Sequence, residues 1–90
     1  YRDEHLDIAT SMNNLGSVYF DLGEVHKSIE LYNQALAIYN KKLPVGHIKI
    51  SKTCNNLANS LLSLGKSRES KELLEESLAT ITQRYGPQHI

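Results

Sequence analysis

The sequence has few of the features that mark exported, membrane-spanning or metal-binding proteins. Its single cysteine, Cys54, excludes an internal disulfide and a multi-cysteine metal site, and favours a reducing, cytoplasmic location. No apolar run approaches the roughly 20 residues that a membrane span needs, and the N-terminal segment contains no apolar signal core. The first residue is not Met, so we expect a piece of a longer protein.

Acidic residues are missing from the middle of the chain. No Asp or Glu lies between Glu30 and Glu69, although the whole chain has a net charge of zero. The flanks hold four bases and all ten acids, so they carry a net charge of −6. This pattern favours an acidic ligand or neighbour, or simply a solvated surface; the sparse bases, without interleaved aromatics, argue against nucleic acid. The cations of the acid-free segment are Lys41, Lys42, Lys49, Lys52, Lys66 and Arg68.

Motifs of known catalytic sites are also missing. The chain has no glycine-rich phosphate loop, no His-Glu-x-x-His and no Gly-x-Ser-x-Gly sequence. When the two halves of the chain are aligned, Cys54 is equivalent to the apolar residue Met12. This equivalence predicts that Cys54 is a small core residue rather than a nucleophile. We therefore predict that the protein is not an enzyme and needs no cofactor.

The chain contains an internal repeat. Residues 5–46 align with residues 47–88 without a gap, and 12 of the 42 positions are identical. Self-similarity at a period of about 20–50 residues is typical of stacked repeat arrays. The identical pairs include Asn13/Asn55, Asn14/Asn56, Leu15/Leu57, Gly23/Gly65 and Ser28/Ser70.

Each unit has the periodicity of two helices. Apolar residues recur at three- and four-residue spacing, and Gly23 and Gly65 follow the first helix of each unit, where a C-terminal glycine is expected. The spacing predicts helices near 6–22, 25–42, 48–64 and 67–84, paired as two antiparallel hairpins in an all-α solenoid fragment. The apolar stripe of the first helix is Ile8, Met12, Leu15, Val18, Tyr19 and Leu22.

The repeated pattern resembles the tetratricopeptide repeat, which implies stacked helix-turn-helix units. Ser28, Ser70 and Ser77 depart from the usual Ala but keep the small volume that helix contact requires. The matching residues of the first unit are Met12, Leu15, Gly16, Tyr19, Gly23, Ser28, Tyr32, Ala35 and Leu36. Those of the second unit are Cys54, Leu57, Ala58, Leu61, Gly65, Ser70, Leu74, Ser77 and Leu78.

The 42-residue period looks like the longer repeat type found in kinesin light chains. The segments "HLDIATSMNNLG" and "YGPQHI" carry this similarity. We therefore divide the chain into repeat 1 (residues 1–46), repeat 2 (residues 47–88) and the start of a third, truncated repeat (residues 89–90).

Two asparagine pairs are the main candidates for a binding site. Asparagine is a mediocre helix former, yet Asn13-Asn14 and Asn55-Asn56 lie in the middle of a predicted helix in both units. First helices of stacked repeats line a concave groove, where a carboxamide can pair with the main chain of an extended peptide. The family resemblance implies this role for Asn14 and Asn56.

Other polar residues are expected to line the same groove. Lys52 would supply a cation for an acidic ligand side chain. The alternative is that the asparagine pairs only join adjacent helices by hydrogen bonds. The further peptide-binding candidates are Asn13, Asn55, Ser17, Lys52 and Asn59, and Phe20, Asp21, Leu62 and Ser63 should face the groove as well.

Three histidines lie one period apart but do not suggest a metal site. His5, His47 and His89 would occupy equivalent points of successive units, about 8–10 Å apart as in packed helices. Metal ligands instead converge to about 2.1 Å from one ion. We expect a repeated structural role at the unit boundary.

Two functions are compatible with the sequence. The first is a protein-interaction scaffold that binds a short extended peptide in the groove of the array, and the charge pattern favours an acidic peptide. The second is a spacer or self-association segment of a longer solenoid without a ligand of its own, because two repeats are fewer than the roughly three usually needed for stability. In that case the last helix should expose apolar residues that promote end-to-end stacking or a homo-oligomer. These residues are Leu73, Leu74, Leu78 and Ile81.

Overall fold

Residues 3–86 fold into four helices joined by short turns. The computed structural model describes residues 3–86. The helices are α1 (Glu4–Asp21), α2 (Val25–Lys42), α3 (Ile48–Ser63) and α4 (Ser67–Tyr85). The all-α prediction is confirmed, and each predicted helix boundary lies within two residues of the observed one. The proposed third repeat, with His89 and Ile90, lies outside the described residues.

Each hairpin closes with the same hydrogen-bonded turn. Gly23 and Gly65 have φ angles of +84° and +78°, which side chains resist and glycine accepts. The following N–H groups then reach back to the helix: Glu24 donates to the Tyr19 carbonyl at 2.8 Å, and Lys66 donates to the Leu61 carbonyl at 2.9 Å. These bonds satisfy carbonyl groups at the helix ends and turn the chain sharply into α2 and α4.

The first helices of the two repeats begin differently. The Asp3 carboxylate accepts hydrogen bonds from the N–H groups of His5 and Leu6 and caps α1. In α3 the capping residue is His47, whose Nδ1 accepts from the Lys49 N–H at 3.1 Å. The prediction of one repeated role for the histidines is therefore wrong for this pair, because the Asp3 cap starts α1 early enough to place His5 inside the helix.

Helix α2 lies between α1 and α3 and is covered by both. It packs against α1 within repeat 1 and against α3 of repeat 2. The Tyr39 ring joins Ala9 of α1 in one buried cluster. The Tyr32 ring joins Leu57 and Leu61 of α3 in a second cluster. Through these two rings α2 packs against the helices on both sides, one in each repeat.

Small hydroxyl residues occupy the contact between the helices. The hydroxyls of Ser28 and Ser60, both buried, form a hydrogen bond at 2.9 Å between α2 and α3. Ser70 Oγ donates to the Ala58 carbonyl at 3.0 Å between α4 and α3. At this repeat position, Ser28 and Ser70 therefore keep the small volume of the expected alanine and each adds a hydrogen bond between helices.

Candidate functional site

Helices α1 and α3 lie side by side, and the two asparagine pairs meet where they touch. Asn56 Nδ2 donates a hydrogen bond to Asn13 Oδ1 at 3.2 Å, across 43 positions of sequence. The two side chains are half-buried at the junction between the helices. The alternative in which asparagines join adjacent helices is thus realised for Asn13 and Asn56.

The other candidates lie on exposed parts of the same two helices. We define the α1–α3 face as the side of α1 and α3 that surrounds the Asn13–Asn56 hydrogen bond. Asn14 is exposed beside Asn13 in α1, and Asn55 is exposed beside Asn56 in α3. One helical turn from Asn56 lie the exposed side chains of Lys52 and Asn59.

Ser17 is held by α2 as well as by its own helix. Its hydroxyl donates to the Asn13 carbonyl at 3.3 Å and hydrogen-bonds with the Tyr32 hydroxyl at 3.0 Å. These bonds occupy the Ser17 side chain within the fold, so it supports the face rather than projecting from it. Of the residues expected to face the groove, Phe20 is half-buried, whereas Asp21, Leu62 and Ser63 are exposed.

Two buried tyrosines of α2, Tyr32 and Tyr39, reach α1 with their hydroxyl groups. The Tyr39 hydroxyl hydrogen-bonds with Thr10 Oγ1 at 2.8 Å, and the Tyr32 hydroxyl bonds with Ser17. A buried phenol needs such a partner. The sequence does contain a signal for these two contacts. The tyrosines are seven residues apart in α2, and Thr10 and Ser17 are seven residues apart in α1. The hydroxyls fix α1 against α2 beneath the asparagines.

Part of the positive charge of the acid-free segment is neutralised by an ion pair in the folded chain. Lys42, one of the cations of the acid-free segment, lies 3.4 Å from the Asp3 carboxylate. Desolvation would raise the pKa of Asp3, but hydrogen bonds from the N–H groups of His5 and Leu6 and the nearby Lys42 outweigh it and hold this pKa below its ordinary value. Lys52 forms no ion pair with another residue of the described range 3–86, so its charge is available to a ligand.

Cys54 faces away from the asparagine pairs and into the core. The side chain is buried, as predicted, and it lines a cavity of about 410 Å³ between α2, α3 and α4. Burial raises the pKa of the Cys54 thiol, and the negative charge of Glu76 adds to the effect. A thiol with a raised pKa is a poor nucleophile at neutral pH, which agrees with a packing role.

Within residues 3–86 no three His, Cys, Asp or Glu side chains form a group suited to a metal ion. Over the same range, none of the helices combines the length and apolar character required to cross a bilayer.

The comparisons with known proteins identify the repeat. Residues 1–41 match one family model of the tetratricopeptide repeat, and residues 51–90 match a second model of the same repeat. No curated protein matches the sequence. The two matches cover most of the chain, and the four helices have the paired arrangement expected of such repeats. The chain therefore belongs to the tetratricopeptide repeat proteins, an all-α family whose repeats generally mediate protein–protein interaction.

Proposed function

We propose that this protein binds an extended peptide segment of a partner protein along the α1–α3 face. The observation that supports this proposal is the hydrogen bond from Asn56 to Asn13, which brings carboxamides of both repeats together at one junction. Asn14 and Asn56 would pair with the main chain of the peptide. The remaining contacts would come from Asn13, Asn55, Lys52 and Asn59, and Ser17 would hold this face in place through its hydrogen bonds to Asn13 and Tyr32.

The carboxamides keep hydrogen-bonding capacity for a ligand. An asparagine side chain has two N–H donors and an oxygen with two lone pairs. The bond to Asn13 uses one donor of Asn56, so its oxygen and second N–H remain for a peptide. Asn14 is exposed. Donors and acceptors of this kind recognise the peptide backbone, and side chains of the partner add specificity.

An acidic ligand suits the charge of α3. Lys52 and Lys49 are exposed on this helix, and α3 contains no acidic residue. A carboxylate of the ligand would meet a positive field there without a competing acid on the same helix. Because these are surface charges, the preference should weaken as salt is added.

The type of repeat and the boundaries of the repeats are part of the same proposal. The 42-residue period and the segments quoted above favour a repeat of the kinesin light chain type, with repeats at 1–46 and 47–88 and a third starting at 89–90. The single cysteine favours a cytoplasmic scaffold.

A peptide titration tests the proposed site. The probe is a fluorescently labelled seven-residue peptide of alternating Glu and Thr, which spans about 23 Å when extended. We expect measurable binding by fluorescence anisotropy, and about tenfold weaker binding by Asn14→Ala and by Asn56→Ala, because each removes about one hydrogen bond to the ligand. Lys52→Ala should reduce both the affinity and its salt dependence.

Two controls make the result specific. Asn33→Ala removes the same carboxamide from an exposed position on α2, and it should leave the affinity unchanged. A matched peptide with Lys in place of Glu should bind more weakly than the acidic peptide. No binding of the acidic peptide, or equal loss in Asn33→Ala and Asn14→Ala, would refute the proposal.

A further inference from the structure

Equivalent positions in the two repeats differ sharply in exposure at the start of the chain. Leu15 in α1 is 45% exposed, whereas its equivalent in α3, Leu57, is 6% exposed. Val18 is 52% exposed, whereas its equivalent Ser60 is fully buried. The reason is that α2 covers this side of α3, while nothing within residues 3–86 covers the same side of α1. Much of the predicted apolar stripe of α1 is therefore a surface. We call it the front face; its members are Ile8, Leu15, Val18 and Leu22.

The opposite difference is found at the other end of the array. Tyr32 in α2 is 2% exposed because α3 packs on it, whereas its equivalent in α4, Leu74, is 39% exposed. Leu78 in α4 is also exposed, as predicted, but Leu73 and Ile81 are half-buried. Leu73 is covered because it packs against the Tyr32 cluster. We call this surface the back face; its members are Leu62, Leu74 and Leu78.

The two faces correspond to the two sides of an interface that the molecule already contains. Inside the chain, Tyr32 packs against Leu57 and Leu61. One period away, the equivalent residues are Leu74 on the back face, and Leu15 and Tyr19 on α1. The contact between α2 and α3 can therefore be repeated between the α4 of one copy and the α1 of another.

Polar groups at the same positions are compatible with this contact. The Ser28–Ser60 hydrogen bond would be replaced by Ser70 facing Val18. Ser70 already donates its hydroxyl proton to the Ala58 carbonyl, so the apolar neighbour leaves no donor unpaired.

An asparagine pair is also placed for the repeated contact. The bond from Asn56 to Asn13 joins residues that are one period plus one position apart. The same offset between two copies joins Asn14 of one to Asn55 of the other, and both side chains are exposed in the single chain. Each end of the array thus presents one half of a hydrogen bond that the interior already forms.

We propose that two copies of this chain dock head to tail, with the front face of one on the back face of the other. For the 90-residue chain the occupant of each face is a second copy, because the chain itself carries both sides of the contact and already uses it between its repeats; in a longer array the same faces would receive the neighbouring repeats. A heterologous contact of this kind leaves one free face at each end, so it does not close and further copies can add.

Sedimentation velocity tests this proposal with variants that block one face each. We expect the average mass of the wild-type protein to rise with concentration up to about 0.5 mM and to exceed that of a dimer. Leu15→Glu blocks the front face and Leu74→Glu blocks the back face; each variant alone should stay monomeric. Since each variant keeps the face that the other lacks, an equal mixture should form a dimer that does not grow.

The alternatives give different patterns. A back-to-back dimer would leave Leu15→Glu fully dimeric, and a front-to-front dimer would leave Leu74→Glu dimeric; either result overturns head-to-tail docking. A wild-type protein that remains monomeric at the highest concentration overturns it as well. Ala37→Glu adds the same charge at an exposed position of α2 outside both faces and should associate like the wild type. Circular dichroism checks that each variant is folded, which is expected because both substituted leucines are exposed.

Discussion

We expect Tyr32→Ala to lower the free energy of unfolding by about 3–5 kcal/mol, the usual cost of truncating a buried aromatic residue. The ring is almost fully buried and packs against Leu57 and Leu61 of the next repeat. It also fills the space over Gly16, where an added Cβ would lie 2.8 Å from Tyr32 Cε1. Removing the Tyr32 ring would therefore weaken the contact between the two repeats and leave a cavity in the core. Urea denaturation followed by circular dichroism measures the change.

Two matched variants separate the causes of this effect. Leu74→Ala truncates the equivalent residue of repeat 2, but its side chain is partly in solvent, so we expect a loss below about 1.5 kcal/mol. Tyr32→Phe removes only the hydroxyl that bonds to Ser17 and should cost about 1 kcal/mol. If Leu74→Ala were as costly as Tyr32→Ala, the stacking order of the helices described above would be wrong.

Gly46→Ala is expected to have the second-largest effect, about 2–5 kcal/mol in total. Gly46 lies between the repeats with a φ of +82°, and a side chain in this conformation costs about 1–2 kcal/mol. An added Cβ would also lie 2.8 Å from the Thr80 carbonyl oxygen and 2.9 Å from Arg84 Cβ. Relieving these contacts requires the loop to move away from α4, which adds about 1–3 kcal/mol.

The control for this variant is Gly23→Ala. Gly23 has nearly the same φ, +84°, but nothing lies within 4 Å of an added Cβ. It should therefore show only the backbone cost of about 1–2 kcal/mol. Equal losses of stability in the two variants would mean that the loop between the repeats does not pack against α4.

Helices and repeat period could be predicted because they depend on local patterns. Apolar spacing located all four helices, and Gly23 and Gly65 located both turns. The early start of α1 was missed because it depends on one side chain, Asp3, that accepts two hydrogen bonds. An apolar periodicity carries no information about such a cap.

The partner of each candidate residue could not be predicted from the repeat alone. The sequence singled out Asn14 and Asn56 as equivalent residues, yet Asn56 bonds to Asn13. This offset of one position depends on how α3 packs against α1. A gapless sequence alignment carries no information about that packing. The bonds of Ser17 and Thr10 to tyrosines of α2 were missed for a similar reason, since they depend on how far a side chain reaches across the packed helices.

Nuclear Overhauser spectroscopy of the wild-type protein tests the central claim most directly, namely that α1 and α3 lie side by side with their asparagine pairs together. The account predicts cross-peaks from the carboxamide protons of Asn56 to protons of α1 around Asn13, together with cross-peaks from the Tyr32 ring to the methyl groups of Leu57 and Leu61. If the Asn56 carboxamide showed no contact with α1 while the helices were intact, the α1–α3 face would not exist, and the account would be contradicted.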